Sequence, residues 1–198
     1  MLNHPVAYVV DDDDAMLRLI RNLLRTIDVE SRCFSTAAEF FVLYTPLPCA
    51  CLITDLRMPG MDGLQLQQEL QRRQVNVPII FISGVAEVSS AVEAMRAGAF
   101  DFIEKPFSAQ TFLSKVQKAL DHSRKRHAET LAKQALDSRL ALLTPKERDV
   151  IAHVVAGKTS REVAESLAIS VRTVENHRAR IMDKLHVHSV VDLVKLLS

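Results

Sequence analysis

The 198-residue sequence lacks any apolar run approaching the roughly 18 residues that a membrane-spanning helix needs, so no membrane protein is expected. Its N-terminal stretch has no basic start followed by a long apolar segment, so no signal peptide is expected either. There are only three cysteines, an odd number in a chain of this length, which predicts no disulfide framework. We therefore expect a reduced, cytoplasmic setting.

Glycine is also scarce, and each of the five glycines falls where one predicted element ends and the next begins. At such positions a turn often requires a positive φ, which glycine adopts without steric cost. The five are Gly60, Gly63, Gly84, Gly98 and Gly157. Because neither glycine nor proline occurs between Pro106 and Pro145, we predict a helical linker over residues 123–142. A solvated or docked helix is favoured there over a coiled-coil seam, since charged residues interrupt the heptads.

The charges nearly cancel over the whole chain but not within its parts. Lys and Arg total 25 and Asp and Glu total 24, and the share of hydrophobic residues (48%) is typical of a soluble globular protein. Residues 1–123 carry 15 acidic and 11 basic side chains, a net charge of −4. Residues 124–198 carry 9 acidic and 14 basic side chains, a net charge of +5. This asymmetry predicts two domains with different partners.

In the first part, short and almost wholly apolar segments alternate with amphipathic ones. The predicted strands are 6–10, 30–34, 49–54, 78–82 and 100–103. The predicted helices are 15–26, 37–43, 64–73, 87–97 and one from residue 108 onward. Continuous apolar strands between amphipathic helices are typical of a parallel sheet covered on both faces. We therefore predict a doubly wound α/β domain with a five-stranded parallel sheet.

Polar side chains follow four of these strands. Asp11 and Asp12 come after the first strand, Asp55 after the third, Ser83 after the fourth and Lys105 after the fifth. Ligands of parallel sheets bind at the carboxyl ends of the strands, so one crevice is expected to collect these groups. Crowded carboxylates repel one another and favour a divalent cation, and Mg²⁺ suits a site with few carboxylates, several waters and a phosphate oxygen.

Asp55, at the centre of this edge, is a candidate nucleophile for a phosphoryl group. The metal and Lys105 would neutralise the oxygens of the incoming group. The alternative is that each acid merely caps a strand end in solvent. For Asp11 or Lys105 alone that alternative is the better one, but the arrival of all the groups at matching strand ends favours a shared site.

Four ordered motifs closely resemble the receiver domain of two-component response regulators. They are Val-Val-Asp-Asp at 9–12, Asp-Leu-Arg-Met-Pro-Gly-Met-Asp-Gly at 55–63, Ile-Ser-Gly at 82–84 and Ala-Gly-Ala-Phe-Asp-Phe-Ile-Glu-Lys-Pro-Phe at 97–107. The resemblance implies a flavodoxin-like receiver over residues 1–122. It also implies that Asp55 accepts phosphate from a sensor histidine kinase.

The resemblance further implies the metal ligands of the domain. Mg²⁺, for which Mn²⁺ or Ca²⁺ could substitute, would be bound by Asp11, Asp12, Asp55 and the backbone carbonyl of Arg57. Asp13 extends the acidic run, and its position predicts a helix cap or a solvated side chain.

Two more positions match the switch residues of the family, and a third matches its cis-peptide position. Ser83 corresponds to the switch hydroxyl and Phe102 to the switch aromatic, where many relatives carry Thr and Tyr. Because Phe102 lacks a phenol oxygen, packing alone would drive an inward rotamer; without the resemblance, Phe102 would be predicted as core. Lys105-Pro106 resembles the family's cis-peptide position, a geometry that proline makes accessible.

The C-terminal part, residues 143–198, contains only helical patterns. Thr144, Pro145 and Glu147 stand at the N-cap, N1 and N3 positions of a strong helix start. Helices over 160–167 and 171–185 with a three-residue turn between them predict a helix-turn-helix whose second helix lies in the major groove of DNA. The predicted apolar side consists of Val163, Ala164, Leu167, Ile169, Val174, Ile181 and Leu185.

Any pair of amphipathic helices could produce that pattern, but the motifs are more specific. Leu-Thr-Pro-Lys-Glu-Arg at 143–148, Ala-Gly-Lys-Thr-Ser-Arg-Glu-Val-Ala at 156–164, Thr-Val-Glu-Asn-His-Arg at 173–178 and Lys-Leu at 184–185 resemble the LuxR/FixJ-type DNA-binding domain. Glu175 departs from the Lys of many relatives, and it can accept a hydrogen bond from cytosine N4. Base contacts are expected from Glu175, Asn176 and Ala179. Phosphate or groove contacts are expected from Lys158, Ser160, Arg172, Thr173, Arg178 and Lys184.

His177, His186 and His188 could suggest a zinc site. No cysteine or acid stands nearby at metal-ligand spacing, so a packed His177 at a helix contact is preferred.

The resulting hypothesis is a transcription regulator that is controlled by phosphorylation and has no enzymatic activity beyond its own phosphorylation and autodephosphorylation. The resemblance implies a homodimer through a face near residues 86–112, bound to promoter DNA, with RNA polymerase as a further candidate partner and no membrane partner. Residues 144–198 carry a net charge of only +2, so one module should bind DNA modestly and with strong salt dependence.

Two rival hypotheses remain. A haloacid-dehalogenase-like phosphatase would carry a second Asp two residues after the nucleophile, where this chain has Arg57, and would need a substrate cap. A constitutive DNA-binding or scaffold protein with a degenerate receiver would not need the intact acid pair, Asp55 and Lys105.

Overall fold

The computed structural model describes residues 4–84 and 88–197, which form two compact units that divide between residues 128 and 129. The division falls inside the segment predicted as a linker. In the first unit, five parallel strands pair in the order β2-β1-β3-β4-β5. This confirms the predicted doubly wound α/β fold. Among the described residues, no helix is both long and apolar enough to cross a membrane.

The elements of the first unit lie within two residues of their predicted bounds. The strands are β1 (Val6–Val10), β2 (Glu30–Phe34), β3 (Ala50–Asp55), β4 (Ile79–Ser83) and β5 (Asp101–Glu104). The helices are α1 (Asp14–Arg25), α2 (Ala37–Leu43), α3 (Gly63–Arg72), α4 (Val88–Arg96) and α5 (Ala109–Ala141). The predicted start of the fourth helix at residue 87 lies outside the described residues. The fifth helix is 33 residues long, and its residues from 129 onward belong to the second unit.

The sheet carries a buried apolar layer on each face. On one face, Tyr8 and Phe81 pack with Phe40 of α2 and Leu66 of α3. On the other face, the strand residues Val9, Ile53 and Ile82 pack with Ile20 of α1 and Phe112 of α5. Because successive side chains of a strand point to opposite faces, strands that are apolar at every position bury both faces.

The second unit is helical. Its helices are the C-terminal part of α5, α6 (Pro145–Val155), α7 (Ser160–Leu167), α8 (Val171–Leu185) and α9 (Val190–Leu197). The predicted start of α6 is confirmed, because Thr144 and Glu147 form a reciprocal capping box. The residues of the predicted apolar side belong to the core of this unit, except Leu167 and Ile169, which are partly buried and pack against it. The last helix, α9, was not predicted; Val190 and Leu193, three residues apart on its buried side, are the signal for it.

The glycines serve two different purposes. The sequence predicted a positive φ at all five glycines, and it occurs at Gly60, Gly98 and Gly157 but not at Gly63 or Gly84. At Gly63 the reason is different: a Cβ atom there would lie 2.4 Å from the carbonyl oxygen of Asp55 and 2.9 Å from Cε1 of Phe81. Glycine is therefore required at the start of α3 because the backbone of β3 passes too close for a side chain.

Replacing Gly63 by Ala is expected to destabilise the first unit by about 2–3 kcal/mol, since the Asp55 backbone would have to shift. The measurement is urea unfolding followed through hydrogen exchange of the buried β1 and β3 amides, which reports on this unit alone. Gly84→Ala is the matched control, because no atom of the described residues lies within 4 Å of its Cβ position, and it should change stability by less than about 0.5 kcal/mol. Equal stability of the two variants would contradict the close-approach explanation.

Candidate functional sites

The strand register brings the predicted polar groups to one edge of the sheet. Val10 stands opposite Thr54 in the pairing of β1 with β3, so Asp11 and Asp55 follow at the same level. Asp55 stands opposite Ile82 in β4, and Ser83, the next residue, stands opposite Glu104 in β5. The carboxyl ends of four adjacent strands thus carry the groups that the sequence pattern predicted there.

Lys105 connects two of the carboxylates. Its ammonium donates a hydrogen bond to Oδ2 of Asp55 and lies 3.6 Å from Oδ2 of Asp11. Burial raises the pKa of Asp11, which is only 2% exposed, and the hydrogen bond from the Asp13 amide and the charge of Lys105 oppose that rise. For Lys105, burial acts to lower the pKa, but the hydrogen bond with Asp55 and the nearby acids outweigh it and raise the pKa. The ammonium is therefore charged and compensates a buried acid.

Two buried atoms of the site have no hydrogen-bond partner in residues 4–84 and 88–197: Oδ2 of Asp11 and Oγ of Ser83. Buried polar atoms are nearly always satisfied by protein, water or a bound group. A carboxylate oxygen suits a hydrated cation, and a hydroxyl suits a phosphoryl oxygen. The residues present therefore fit both a divalent cation and a phosphoryl group.

The side chains of the predicted metal ligands differ in their exposure. Asp12 is exposed, and the described ranges contain no cluster of three or more His, Cys, Asp or Glu side chains that could hold a metal ion. Side chains alone thus do not form a closed cation site. A cation here would depend on waters and on backbone carbonyls, a coordination that Mg²⁺ commonly accepts.

Three neighbours of the site have defined positions. Asp13 caps α1, because its side chain accepts a hydrogen bond from the Ala15 amide, and this confirms the predicted cap. The Lys105-Pro106 peptide bond is cis, as predicted. Phe102 is half-buried and packs against the core on the side of the sheet that faces α3 and α4.

In the second unit, α7 and α8 enclose a three-residue turn, and α8 presents an exposed polar face. Arg172, Glu175, Asn176 and Ala179 are exposed on α8. In the turn itself, Ala168 adopts a left-handed conformation. The arrangement leaves side chains that can hydrogen-bond to base edges and phosphates on one surface.

The remaining predicted DNA contacts are engaged within the unit. Arg178 donates to Oγ of Ser160 at 2.8 Å, and Lys158 donates to Oγ of Ser166 at 3.3 Å. Thr173 is half-buried, and its hydroxyl is 2.8 Å from that of Ser170 at the start of α8.

Lys184, the last predicted phosphate contact, is half-buried and is also engaged within the unit, and its contact with DNA stays a prediction. Its ammonium is 2.7 Å from Oε2 of Glu147 and 3.0 Å from the carbonyl oxygen of Leu142. Glu147 was predicted only as a capping residue. Because the two partners are 37 residues apart, no local signal in the sequence indicates their pairing.

The three histidines that the sequence singles out lie on α8 or shortly after it. His177 is half-buried, and no group of His, Cys, Asp and Glu that could hold a metal ion includes it in the part of the chain that the structure describes. Its packing at a helix contact stays a prediction.

Comparisons with known proteins find a matching family for each of the two units. The family described as the response regulator receiver domain matches residues 7–117, and that described as bacterial regulatory proteins of the luxR family matches residues 141–197. The chain is 39% identical over 191 residues to the response regulator protein TmoT of Ectopseudomonas mendocina, covering 96% of this chain and 87% of that protein. It is 36% identical over 189 residues to the transcriptional regulatory protein FixJ of Azorhizobium caulinodans, covering 96% and 90%.

Two solved structures are similar to this chain along nearly its whole length. The response regulator StyR superposes with a TM-score of 0.89 at 35% identity and covers 98% of both chains. Full-length FixJ from B. japonicum superposes with a TM-score of 0.62 at 34% identity, covering 97% of this chain and 95% of that one.

Lys105→Gln is expected to destabilise the first unit by about 2 kcal/mol in the absence of divalent cations, because it leaves the buried Asp11 carboxylate without its counter-charge. Adding Asp11→Asn should recover most of this loss, since no buried charge then remains. Hydrogen exchange of the β1 and β3 amides in the presence of a chelator measures both changes. Asp12→Asn combined with Lys105→Gln is the control. An equal recovery of stability in that variant would show that Lys105 only reduces the general repulsion among the acids of the site.

Proposed function

The chain belongs to the two-component response regulators that join a receiver domain to a LuxR-type DNA-binding domain, and from this we propose that phosphorylation of Asp55 controls its binding to promoter DNA. One observation carries the proposal: Lys105 bridges Asp55 and the buried Asp11 at the carboxyl edge of the sheet. If Asp55 and Asp11 were only solvated acids at strand ends, they would not need a charged partner held between them. The family implies a sensor histidine kinase as the phosphoryl donor.

The transfer forms a bond between a carboxylate oxygen of Asp55 and phosphorus, while the bond from phosphorus to the donor nitrogen breaks. Oδ2 of Asp55 accepts from Lys105 and Oδ1 accepts from the Arg57 amide at 3.0 Å, so both oxygens have defined directions. Lys105 can release Asp55 and donate to an oxygen of the arriving group.

Asp11, Asp12, Asp55 and the Arg57 carbonyl would hold Mg²⁺. When bound, Mg²⁺ supplies positive charge to the phosphoryl oxygens and reduces the repulsion between them and the carboxylates. The buried Oδ2 of Asp11, which has no hydrogen-bond partner among the described residues, supports this assignment.

Ser83 is the second group that would respond to the phosphoryl. Its buried hydroxyl, without a partner in the described part of the chain, would donate to a phosphoryl oxygen, as Lys105 would. Because Ser83 ends β4 and Lys105 directly follows β5, the new contacts would shift the following segments. Phe102, half-buried and without a hydroxyl, would follow through packing alone.

The face predicted to dimerise, residues 86–112, starts with two residues that lie outside the described ranges. In its described part, α4 exposes Val92 and Met95, each 45% exposed and one helical turn apart. Two adjacent apolar side chains on a helix surface suit a contact between two copies of the chain. A homodimer would bring two DNA-binding modules to one palindromic promoter site.

Asp55→Asn should abolish Mg²⁺-dependent labelling by acetyl phosphate, together with the dimerisation and the stimulated DNA binding that follow from it. Labelling is measured by phosphate-affinity electrophoresis, dimerisation by sedimentation, and binding on a duplex selected from a random pool by the phosphorylated wild-type chain. Asp13→Asn is the matched control, because asparagine caps a helix as well as aspartate does and the residue stands beside the site. Stimulated binding that survives in Asp55→Asn would overturn the proposal.

Two substitutions on α8 should separate base contacts from phosphate contacts. Asn176→Ala should weaken binding to the selected duplex by about 1–3 kcal/mol and leave binding to unrelated duplexes nearly unchanged. Arg172→Gln should weaken binding to all duplexes and reduce the dependence of log Kd on log salt by about 0.9. Titrations at several salt concentrations measure both, and the opposite pattern would reverse the two assignments.

A further inference from the structure

The C-terminal end of α8 is fastened to the junction of α5 and α6 by three polar contacts. Lys184 donates to the carboxylate of Glu147 at 2.7 Å and to the carbonyl of Leu142 at 3.0 Å. Arg139, in the last turn of α5, donates to the carbonyl of Leu185 at 3.4 Å. We name these five residues the α8 clasp. All of them belong to the second unit.

Burial and hydrogen bonds hold the glutamate of the clasp in its position. Glu147 is only 2% exposed, and its carboxylate also accepts from the Thr144 amide at 2.8 Å as part of the capping box of α6. Burial alone would raise the pKa of Glu147, but the hydrogen bonds from Lys184 and Thr144 lower it, so the side chain is ionised. An ionised buried carboxylate requires a counter-charge, and Lys184 supplies it.

The rest of the clasp satisfies the end of α8 itself. The last carbonyls of a helix have no partner within the helix, and a cation near them interacts favourably with the negative end of the helix dipole. Arg139 meets both needs at Leu185, the last residue of α8. Leu140 and Leu143, which flank the end of α5, pack against the core that also contains Leu185. The end of α5 is therefore part of the DNA-binding unit.

We propose that Lys184 is a positioning residue, which sets the direction of α8 through Glu147, and that it makes no contact with DNA phosphate. The proposal rests on the proposed function of α8 as the DNA-reading helix. Asn176 lies eight residues before Lys184, about 12 Å along the axis, so a tilt of about 5° at the clasp would displace it by roughly 1 Å. A displacement of that size weakens hydrogen bonds to base edges.

The test uses the full-length chain and two variants that each remove one charge of the pair, Lys184→Gln and Glu147→Gln. The glutamine at 147 preserves the capping box, because Gln serves at N3 as Glu does. The probes are a duplex selected from a random pool by the wild-type chain and an unrelated duplex of equal length. Binding is titrated at several salt concentrations, at a temperature where circular dichroism shows every variant to be folded.

A positioning role predicts that either variant weakens binding to the selected duplex about tenfold, with the salt dependence unchanged. The double variant should then bind no more weakly than the weaker single variant, because both changes remove the same contact. Arg172→Gln is the positive control for a lost phosphate contact. Lys184→Arg should restore the affinity, since arginine can pair with the same carboxylate.

Other results would overturn the proposal. A phosphate contact predicts that Lys184→Gln reduces the salt dependence by about 0.9 while Glu147→Gln binds as the wild type does. A purely structural pair predicts lower melting temperatures for both variants with unchanged affinity of the folded chains. If Lys184→Gln does not fold, Glu147→Met with Lys184→Met leaves no buried charge, and a reduced salt dependence in that variant would also overturn the proposal.

The outcome for the wild-type chain separates this proposal from the function on which it rests. If the wild-type chain selects and binds a duplex but the variants do so equally well, the clasp proposal alone fails. If the wild-type chain binds no duplex, with or without acetyl phosphate and Mg²⁺, the proposed function fails and the clasp proposal fails with it.

Discussion

The ammonium of Lys105 is the group on which the first unit's site depends. A parallel sheet brings the ends of neighbouring strands to one edge, and here that edge places Asp11 and Asp55 side by side, with Asp11 buried. Without a cation between them, burial and repulsion would both oppose two charged acids. Lys105 stabilises the pair in the resting state and at the same time holds one oxygen of the residue proposed to receive phosphate.

This arrangement explains how a small chemical change could affect a larger part of the molecule. A phosphoryl group on Asp55 would compete for Lys105 and would give the buried hydroxyl of Ser83 an acceptor. Both residues stand at the ends of strands that lead into helices, and α4 carries the exposed Val92 and Met95. Since the DNA-binding module has a net charge of only +2, pairing two modules is an effective way to increase affinity for DNA.

Much of the fold could be predicted because its signals are local. Short apolar runs and helices with an apolar stripe predicted most elements of the first unit to within two residues. The caps at Asp13 and Thr144 depend on neighbours two or three residues away. The short helix α9 was missed, and the reason for glycine at position 63 was misjudged. The latter depends on the backbone of another strand, which no local pattern reveals.

The sequence by itself determined the order of the elements and the residues at the carboxyl ends of the strands, because the periodicity of apolar side chains and the rules of parallel sheets act over short ranges. Only the tertiary structure decided which charged groups meet in the second unit. Lys184 is a basic residue on the helix predicted to read DNA, yet folding places it beside the buried Glu147, which is 37 residues away in the sequence. The physical reason is that an ion pair depends on distance and burial, and the packing of the whole unit sets both.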